Sequence, residues 1–331
     1  MKPTIIVQGG AFNIPDSYVA RYRKGTQNAA LTGYAALSEG GSALDAVEAA
    51  VKYLENDTVF NAGHGSVLTE LGTVEMDAIV AVGDGCQTGA VTCVQDIANP
   101  VSLARKVMEN TSHCILSGEG AMRFAKKMDF EILPPMELIT HDSVCKSFII
   151  CKGTYDAHIE TYMNSIVNAK DGTDLEAFYK NLIKNDLKTA HGHDTVGAVA
   201  LGADGMLACA TSTGGIPGKM IGRVGDSPIF GSGAYANSVG ACSSTGHGES
   251  LLRATVCRDA IQYIEHGLSA EDAAQKSLDT MFNLTGGRGG LILVDNTGQF
   301  AKPFTTGSMA WAMVNSDEQR CGLKPGEDYL F

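Results

Sequence analysis

The stretch His193-Asp194-Thr195-Val196-Gly197-Ala198-Val199-Ala200-Leu201 runs a polar segment directly into a series of small and apolar residues. Such a series reads as a buried strand. Met206 to Thr213 repeats the pattern after Gly202-Ala203-Asp204-Gly205, a sequence that suits a hairpin turn. A threonine opening a strand is ordinarily a β-branched residue in a favourable place. Thr195 has a second reading: if the chain breaks before it, it becomes a nucleophile that carries its own base. A hydroxyl is a weak nucleophile that needs a neighbouring base, and an N-terminal threonine supplies its α-amine. That amine ordinarily has a pKa of about 7.7–8.0, so it accepts a proton near neutrality.

Working outward, helices are predicted at 249–265 and 269–283, the second opened by Ser269-Ala270-Glu271-Asp272 as in a capping box. Strands at 289–294, 298–304 and 308–313 close the chain. On the other side, a short strand over 4–8 ends at Gly9-Gly10, and helices follow at 16–38 and 42–54. In the second of these, Ser42 is the expected N-cap, Leu44, Val47, Val51 and Leu54 share a face, and Glu48 and Lys52 stand at i,i+4. Strands at 73–82 and 87–95 precede helices at 100–110, 118–128 and 142–152. Residues 153–194 are polar and weakly periodic, and read as a mobile linker with a helix near 173–188. This order predicts one domain over 1–331, with sheets packed face to face and helices outside.

The chain has 331 residues and a formal charge of −12, with 44% hydrophobic and 19% charged residues. That composition excludes a disordered or collagen-like chain, and the acidic balance argues against nucleic acid as partner. No apolar run approaches the ~18 residues of a spanning helix, so no membrane role is expected. The apolar stretch after Met1-Lys2 ends at Gln8, too soon for a signal peptide. Nine cysteines are scattered with no C-x-x-C pair, which reads as reduced thiols in a cytosolic protein. Gly214 to Met220 lacks the spacing and the hydroxyl of a phosphate loop, and the glycines at 231–233 and 246–248 lack the dinucleotide spacing. His191 and His193 have no second ligand pair at a usual distance for zinc.

Thr195 keeps informative company. Thr211-Ser212-Thr213 ends the second strand of the hairpin, so its hydroxyls can lie beside Thr195. Arg223 and Asp226 set a cation and an anion three residues apart. Such a pair is ordinarily a salt bridge, but it also suits an α-amino acid, with Arg223 for the carboxylate and Asp226 for the ammonium. Ser244-Thr245-Gly246-His247-Gly248 offers a hydroxyl and backbone amides, the parts of an oxyanion hole.

With Phe60-Asn61-Ala62-Gly63-His64-Gly65-Ser66, Thr73-Val74-Glu75-Met76-Asp77, Ile97-Ala98-Asn99-Pro100 and Thr306-Gly307-Ser308-Met309, the block from Thr195 to Glu249 resembles the plant-type asparaginase and isoaspartyl peptidase family. These are threonine N-terminal-nucleophile hydrolases. The resemblance covers nearly the whole chain outside 130–190. It implies a four-layer αββα sandwich that cuts itself between Asp194 and Thr195 into an α chain, 1–194, and a β chain, 195–331. Thr195 would then attack the side-chain carbonyl of asparagine or of a β-aspartyl dipeptide. Thr213 would tune the nucleophile, Asn61 would hold its freed amine, and Thr245 and the Gly246 amide would stabilise the oxyanion. Arg223, Asp226 and the Gly248 backbone would grip the amino-acid end of the substrate.

The resemblance also implies a dimer of αβ units, no organic cofactor, and a structural sodium ion on backbone carbonyls of Leu54, Glu55, Asp57, Phe60, Ala62 and His64. Three positions depart from the family pattern. Gln8 stands in place of a histidine, Phe12 in place of a glycine, and Asp194 precedes the nucleophile where glycine is usual. His193-Asp194-Thr195 is more similar to lysosomal glycosylasparaginase, the alternative enzyme reading. A non-catalytic binding protein on the same fold is the alternative of another class. It has no need of Thr195, Thr213, Arg223, Asp226 and Thr245 together.

Overall fold

The computed structural model describes residues 1–134, 136–151 and 194–331, so the linker expected over 153–194 lies outside the described residues except for Asp194, as does its expected helix near 173–188. The chain opens with strand β1 (Thr4–Phe12), helices α1 (Asp16–Ser38) and α2 (Ala43–Asn56), and the hairpin of β2 (Met76–Val82) and β3 (Gln87–Val94). Helix α3 (Pro100–Asn110), strand β4 (Ile115–Ser117) and helices α4 (Gly118–Lys127) and α5 (His141–Cys151) follow. After the undescribed segment come β5 (Val196–Leu201), β6 (Leu207–Thr213), β7 (Ala234–Ala236), β8 (Gly240–Gly246), and helices α6 (Gly248–Ala254), α7 (Val256–Glu265) and α8 (Ala270–Thr285). Strands β9 (Gly289–Asp295), β10 (Phe300–Ala301), β11 (Ser308–Asn315), β12 (Gln319–Gly322) and β13 (Tyr329–Leu330) end it.

The described residues form two sheets, in the orders β13-β12-β11-β1-β5-β6-β2-β3-β4 and β10-β9-β8-β7. Their alternating side chains build three hydrophobic layers. Ile5 and Val7 of β1, Ala198 and Ala200 of β5, and Ala310, Ala312 and Val314 of β11 face α1 and α2. Ile6, Val199, Leu201, Met309, Trp311 and Met313, on the opposite faces of the same strands, pack between the sheets with Ile292 and Val294 of β9. Leu291 and Leu293, on the far side of β9, meet Ile261 of α7 and Leu278 of α8. Period-two alternation thus separates three buried layers, and the result is the expected αββα sandwich. No helix among the described residues is long and apolar enough to cross a membrane.

Several expectations hold closely. The Gly202–Gly205 turn closes a hairpin in which Val196 faces Ser212 and Leu201 faces Leu207. Ser42 caps α2 by accepting from the Asp45 amide at 3.1 Å while the Asp45 carboxylate accepts from the Ser42 amide at 2.8 Å. Others need correction. Glu48 bonds Arg105 of α3 at 2.7 Å instead of pairing with Lys52, because one guanidinium bridges Asp45 and Glu48 together. The predicted helix 249–265 is two helices, broken at Thr255 in the left-handed region (φ 49°). The break lets the Arg258 amide, in the first turn of α7, donate to Gly231 O at 2.8 Å. The strand expected over 298–304 shrinks to β10, since Pro303 has no amide to donate to a ladder. Strands β4, β7, β8, β12 and β13 were not foreseen.

Glu55, at the end of α2, is fully buried and its carboxyl accepts from Ser212 Oγ at 2.6 Å, the Val101 amide at 3.0 Å and Asn99 Nδ2 at 3.1 Å. Burial outweighs these donors and pushes its pKa up from the ordinary 4.5 to about 8. The folded protein therefore holds this proton where the unfolded chain has lost it. The stabilisation is complete below the unfolded pKa and is lost as pH rises through the folded one, at up to about 1.4 kcal/mol per pH unit. Glu55→Gln is expected to flatten the fall in urea midpoint between about pH 5 and pH 8; an unchanged slope would rule out this assignment.

Candidate active site

The hairpin register puts Thr195, just before β5, beside Thr213 at the end of β6. Thr195 Oγ1 donates to Thr213 Oγ1 at 3.3 Å, and the Gly215 amide donates to the same oxygen at 3.0 Å. The carbonyl of the Asp194–Thr195 bond accepts from Asn61 Nδ2 at 2.9 Å and from Thr213 Oγ1 at 3.4 Å. Asn61 is held in turn, donating to Gly215 O at 2.7 Å and accepting from the Val67 amide at 2.9 Å. The Thr195 hydroxyl and the donors aimed at the neighbouring carbonyl are thus held in one place.

The Asp194 side chain is buried as well. Tyr22 of α1 donates its hydroxyl to Asp194 Oδ2 at 2.5 Å, while Oδ1 has no partner among the described residues. Burial pushes this carboxyl up to about 6, against the opposing pull of the Lys146 charge and the Tyr22 and Asn61 hydrogen bonds. Gly10 sits against Oδ1 at φ 109°, where a Cβ would collide with the carboxylate. The three departures from the family pattern meet here. Gln8 Oε1 accepts from the Gly10 amide at 2.7 Å, and Phe12 packs edge-on against Tyr22 at 5.7 Å between ring centroids. Tyr22 is a residue that sequence reasoning missed, and nothing in its local pattern marks it, because its partner is 172 positions away.

Thr195, Thr213, Arg223, Asp226, Gly246 and Gly248 line one cavity of about 10 Å³. Arg223 and Asp226 converge over Gly248, where a Cβ would press on both side chains. They are not paired with each other as a simple salt bridge. Arg223 Nε and Nη2 both donate to Glu249 Oε1, at 3.0 and 2.8 Å. Asp226 Oδ2 accepts from Ser244 Oγ at 3.0 Å, and burial pushes its carboxyl up to about 7 despite that bond and the nearby Arg223 charge. Glu249 and Ser244 stand within the block that carries the resemblance, but their partners follow only from the folded geometry.

The segment Ser244–Gly248, which offered the parts of an oxyanion hole, begins as the buried end of β8. Gly246 lines the cavity, whereas the Thr245 hydroxyl accepts from the Ala11 amide of β1 at 3.2 Å. His247 Nδ1 is 2.7 Å from Ser250 Oγ, and Nε2 is 3.7 Å from Glu249 Oε2; the ring borders an adjoining cleft. In the turn after α2, the carbonyls of Leu54, Asp57 and Ala62 accept from the Asp57, Phe60 and Gly65 amides. A Cβ at Gly63 or Gly65 would collide with the Glu55 or Phe60 carbonyl, so the backbone of this turn folds closely on itself. Lys146 Nζ already donates to two carbonyls there, Gly65 O at 3.3 Å and Thr58 O at 3.4 Å.

A family model described as asparaginase matches residues 1–323. The chain belongs to this asparaginase family. It is 44% identical over 331 residues to an isoaspartyl peptidase/L-asparaginase of Xenopus laevis, covering 99% of this chain and 97% of the relative. The proteins of that name from Mus musculus and Homo sapiens are 44% and 43% identical, over 96% and 99% of this chain and 90% and 98% of their own. The hydroxyl-rich end of the central hairpin, Arg223 and Asp226 line the same cavity.

Proposed function

We propose that this chain is a hydrolase that cuts itself before Thr195, then releases ammonia from L-asparagine and cleaves β-aspartyl dipeptides. The observation that carries this reading is the contact of Thr195 Oγ1 with Thr213 Oγ1, beside an Asp194 carbonyl already held by Asn61. In self-cleavage Thr195 Oγ attacks the Asp194 carbonyl carbon and its proton passes toward Thr213. The negative charge on the carbonyl oxygen falls on the Asn61 and Thr213 donors. The peptide C–N bond breaks as that proton is relayed through Thr213 to the leaving nitrogen, giving an ester and a free amine at Thr195; water then hydrolyses the ester to the Asp194 carboxylate and restores the Thr195 hydroxyl. In turnover Thr195 Oγ attacks the substrate amide carbon, the Thr195 amine takes the proton and passes it to the leaving nitrogen, and water releases aspartate.

Arg223 would bind the substrate α-carboxylate and Asp226 its ammonium, so ordinary α-linked peptides are expected to be poor substrates. Asp226 must be ionised to bind an ammonium, and its carboxyl is pushed up to about 7 in the uncleaved chain. Arg223→Lys keeps the charge but loses the planar fork, and KM for asparagine is expected to rise about 10- to 100-fold, on the order of 1–3 kcal/mol. An unchanged KM in matured enzyme would remove Arg223 from the site. The same matured protein, assayed on asparagine, β-aspartyl dipeptides and glycosylated asparagine, tests the reading as a whole. Preference for the glycosylated substrate would favour the alternative that His193-Asp194-Thr195 suggests.

A sodium ion would be held by the carbonyls of the turn from Leu54 to His64, as a structural support only. Two αβ units would associate as a dimer in the cytosol. The family resemblance supports both statements, and sedimentation of matured protein with and without sodium tests them.

A further inference from the structure

Next to the nucleophile's cavity lies a larger cleft of about 740 Å³, bordered by Ala11, Phe12, His247, Gly287, Arg288 and Gly307 among others. Two links make the spaces neighbours. His247 borders the cleft, while Gly246 and Gly248 on either side of it line the cavity. Ala11 also borders the cleft, and its amide is bonded to the Thr245 hydroxyl. The cleft therefore adjoins the cavity that Thr195 lines, across the Gly246–Gly248 wall.

Arg288 is fastened at this junction. Its carbonyl accepts from the His247 amide at 3.0 Å, its Nη1 donates to Thr305 O at 2.9 Å, and its guanidinium lies 5.2 Å from the Phe282 ring centroid. These partners are neutral, and no carboxylate among the described residues pairs with Arg288. A positioned guanidinium that no described carboxylate pairs with, standing in an open cleft, has the charge and the planar donors to receive a carboxylate.

We propose that Arg288 binds the free carboxylate of the residue released from β-aspartyl dipeptides, and so sets the preference for dipeptides over other substrates of this site. The proposal rests on the peptidase reading above. The chemistry discriminates sharply. Asparagine releases ammonia, which carries no carboxylate. A β-aspartyl dipeptide releases an amino acid whose carboxylate stands two bonds beyond the scissile nitrogen. In a longer or C-terminally amidated substrate a neutral amide occupies that place.

The test uses matured wild-type and Arg288→Met enzyme on three substrates: asparagine, β-Asp-Leu and β-Asp-Leu amide. The wild type is expected to favour the free acid over the amide about tenfold in kcat/KM. In the variant KM for β-Asp-Leu should rise about tenfold, with the amide and asparagine changed less than about twofold. Asparagine turnover thus serves as the control for folding. Equal losses on all three substrates would reduce Arg288 to a structural role, and no change on any would overturn the proposal. If the wild type hydrolyses asparagine but neither dipeptide, this inference fails while the asparaginase reading stands. If it hydrolyses none of the three, the proposed function fails and this inference with it.

Discussion

Replacing Thr195 by alanine is expected to leave the 331-residue chain whole and to lower asparagine hydrolysis by roughly 10⁴-fold or more, the scale seen when a nucleophile is removed from an assembled site. In the proposed chemistry one hydroxyl serves both events, since the oxygen that would attack the Asp194 carbonyl is the oxygen that would later attack substrate. The alanine side chain removes the bond to Thr213 and nothing else that is described for this hydroxyl. Folding should therefore survive, and the thermal midpoint of the whole variant checks this. Thr195→Ser keeps both hydroxyl and future amine, and is expected to cleave itself and retain activity. Denaturing gels and ammonia release measure the two effects side by side. A Thr195→Ala chain that matures, or that turns over asparagine at the wild-type rate, would defeat the proposed chemistry.

The second large effect is expected at Asn61. Its amide nitrogen lies 2.9 Å from the carbonyl oxygen that must take negative charge when Thr195 attacks. Deleting one such donor ordinarily costs about 10²- to 10³-fold. Asn61→Ala should slow conversion of the whole chain to its two fragments by that factor, followed as the cleaved fraction against time. The variant also loses the bonds to Gly215 and Val67, so its melting midpoint must be measured beside the rate. A variant that stays folded and cleaves at the wild-type rate would mean that Asn61 does not stabilise the oxyanion. The sequence resemblance implied a role for Asn61 on the freed amine. The uncleaved geometry adds a role on the carbonyl of the same bond.

What could be read from the sequence was local. The Gly202–Gly205 turn sets the register of its hairpin, and the register sets Thr213 beside Thr195, so their contact follows from a few adjacent residues. Ser42 likewise reads as a cap because its partner is Asp45, three positions on. Strand β8 escaped notice because Gly240-Ala241-Cys242-Ser243-Ser244-Thr245-Gly246 holds one β-branched residue and no large apolar one. It is a strand because β7 and β9 pair with it on both sides, a long-range cause that outweighs weak local preference. The grip of Glu249 on Arg223 and of Tyr22 on Asp194 is equally a matter of folding, since each crosses between separate elements. Sequence motifs thus named residues that share one cavity, Thr195, Thr213, Arg223, Asp226, Gly246 and Gly248, while their hydrogen-bond partners required the packed sheets.

The sequence-unusual positions also gain a common physical meaning. Gln8, Phe12 and Asp194 are not three isolated departures, because Gly10 and Tyr22 join them around one buried carboxyl. That carboxyl lies next to the bond proposed to break. Its pKa, raised by burial to about 6, means that it loses its proton as pH rises through the mildly acidic range.

The most direct measurement is the intact mass and N-terminal sequence of freshly purified, active wild-type protein. The expected result is two fragments, 1–194 and 195–331, the second beginning at Thr195, with activity rising in step with their formation. Full activity in a protein whose Thr195 is still internal would contradict the central claim.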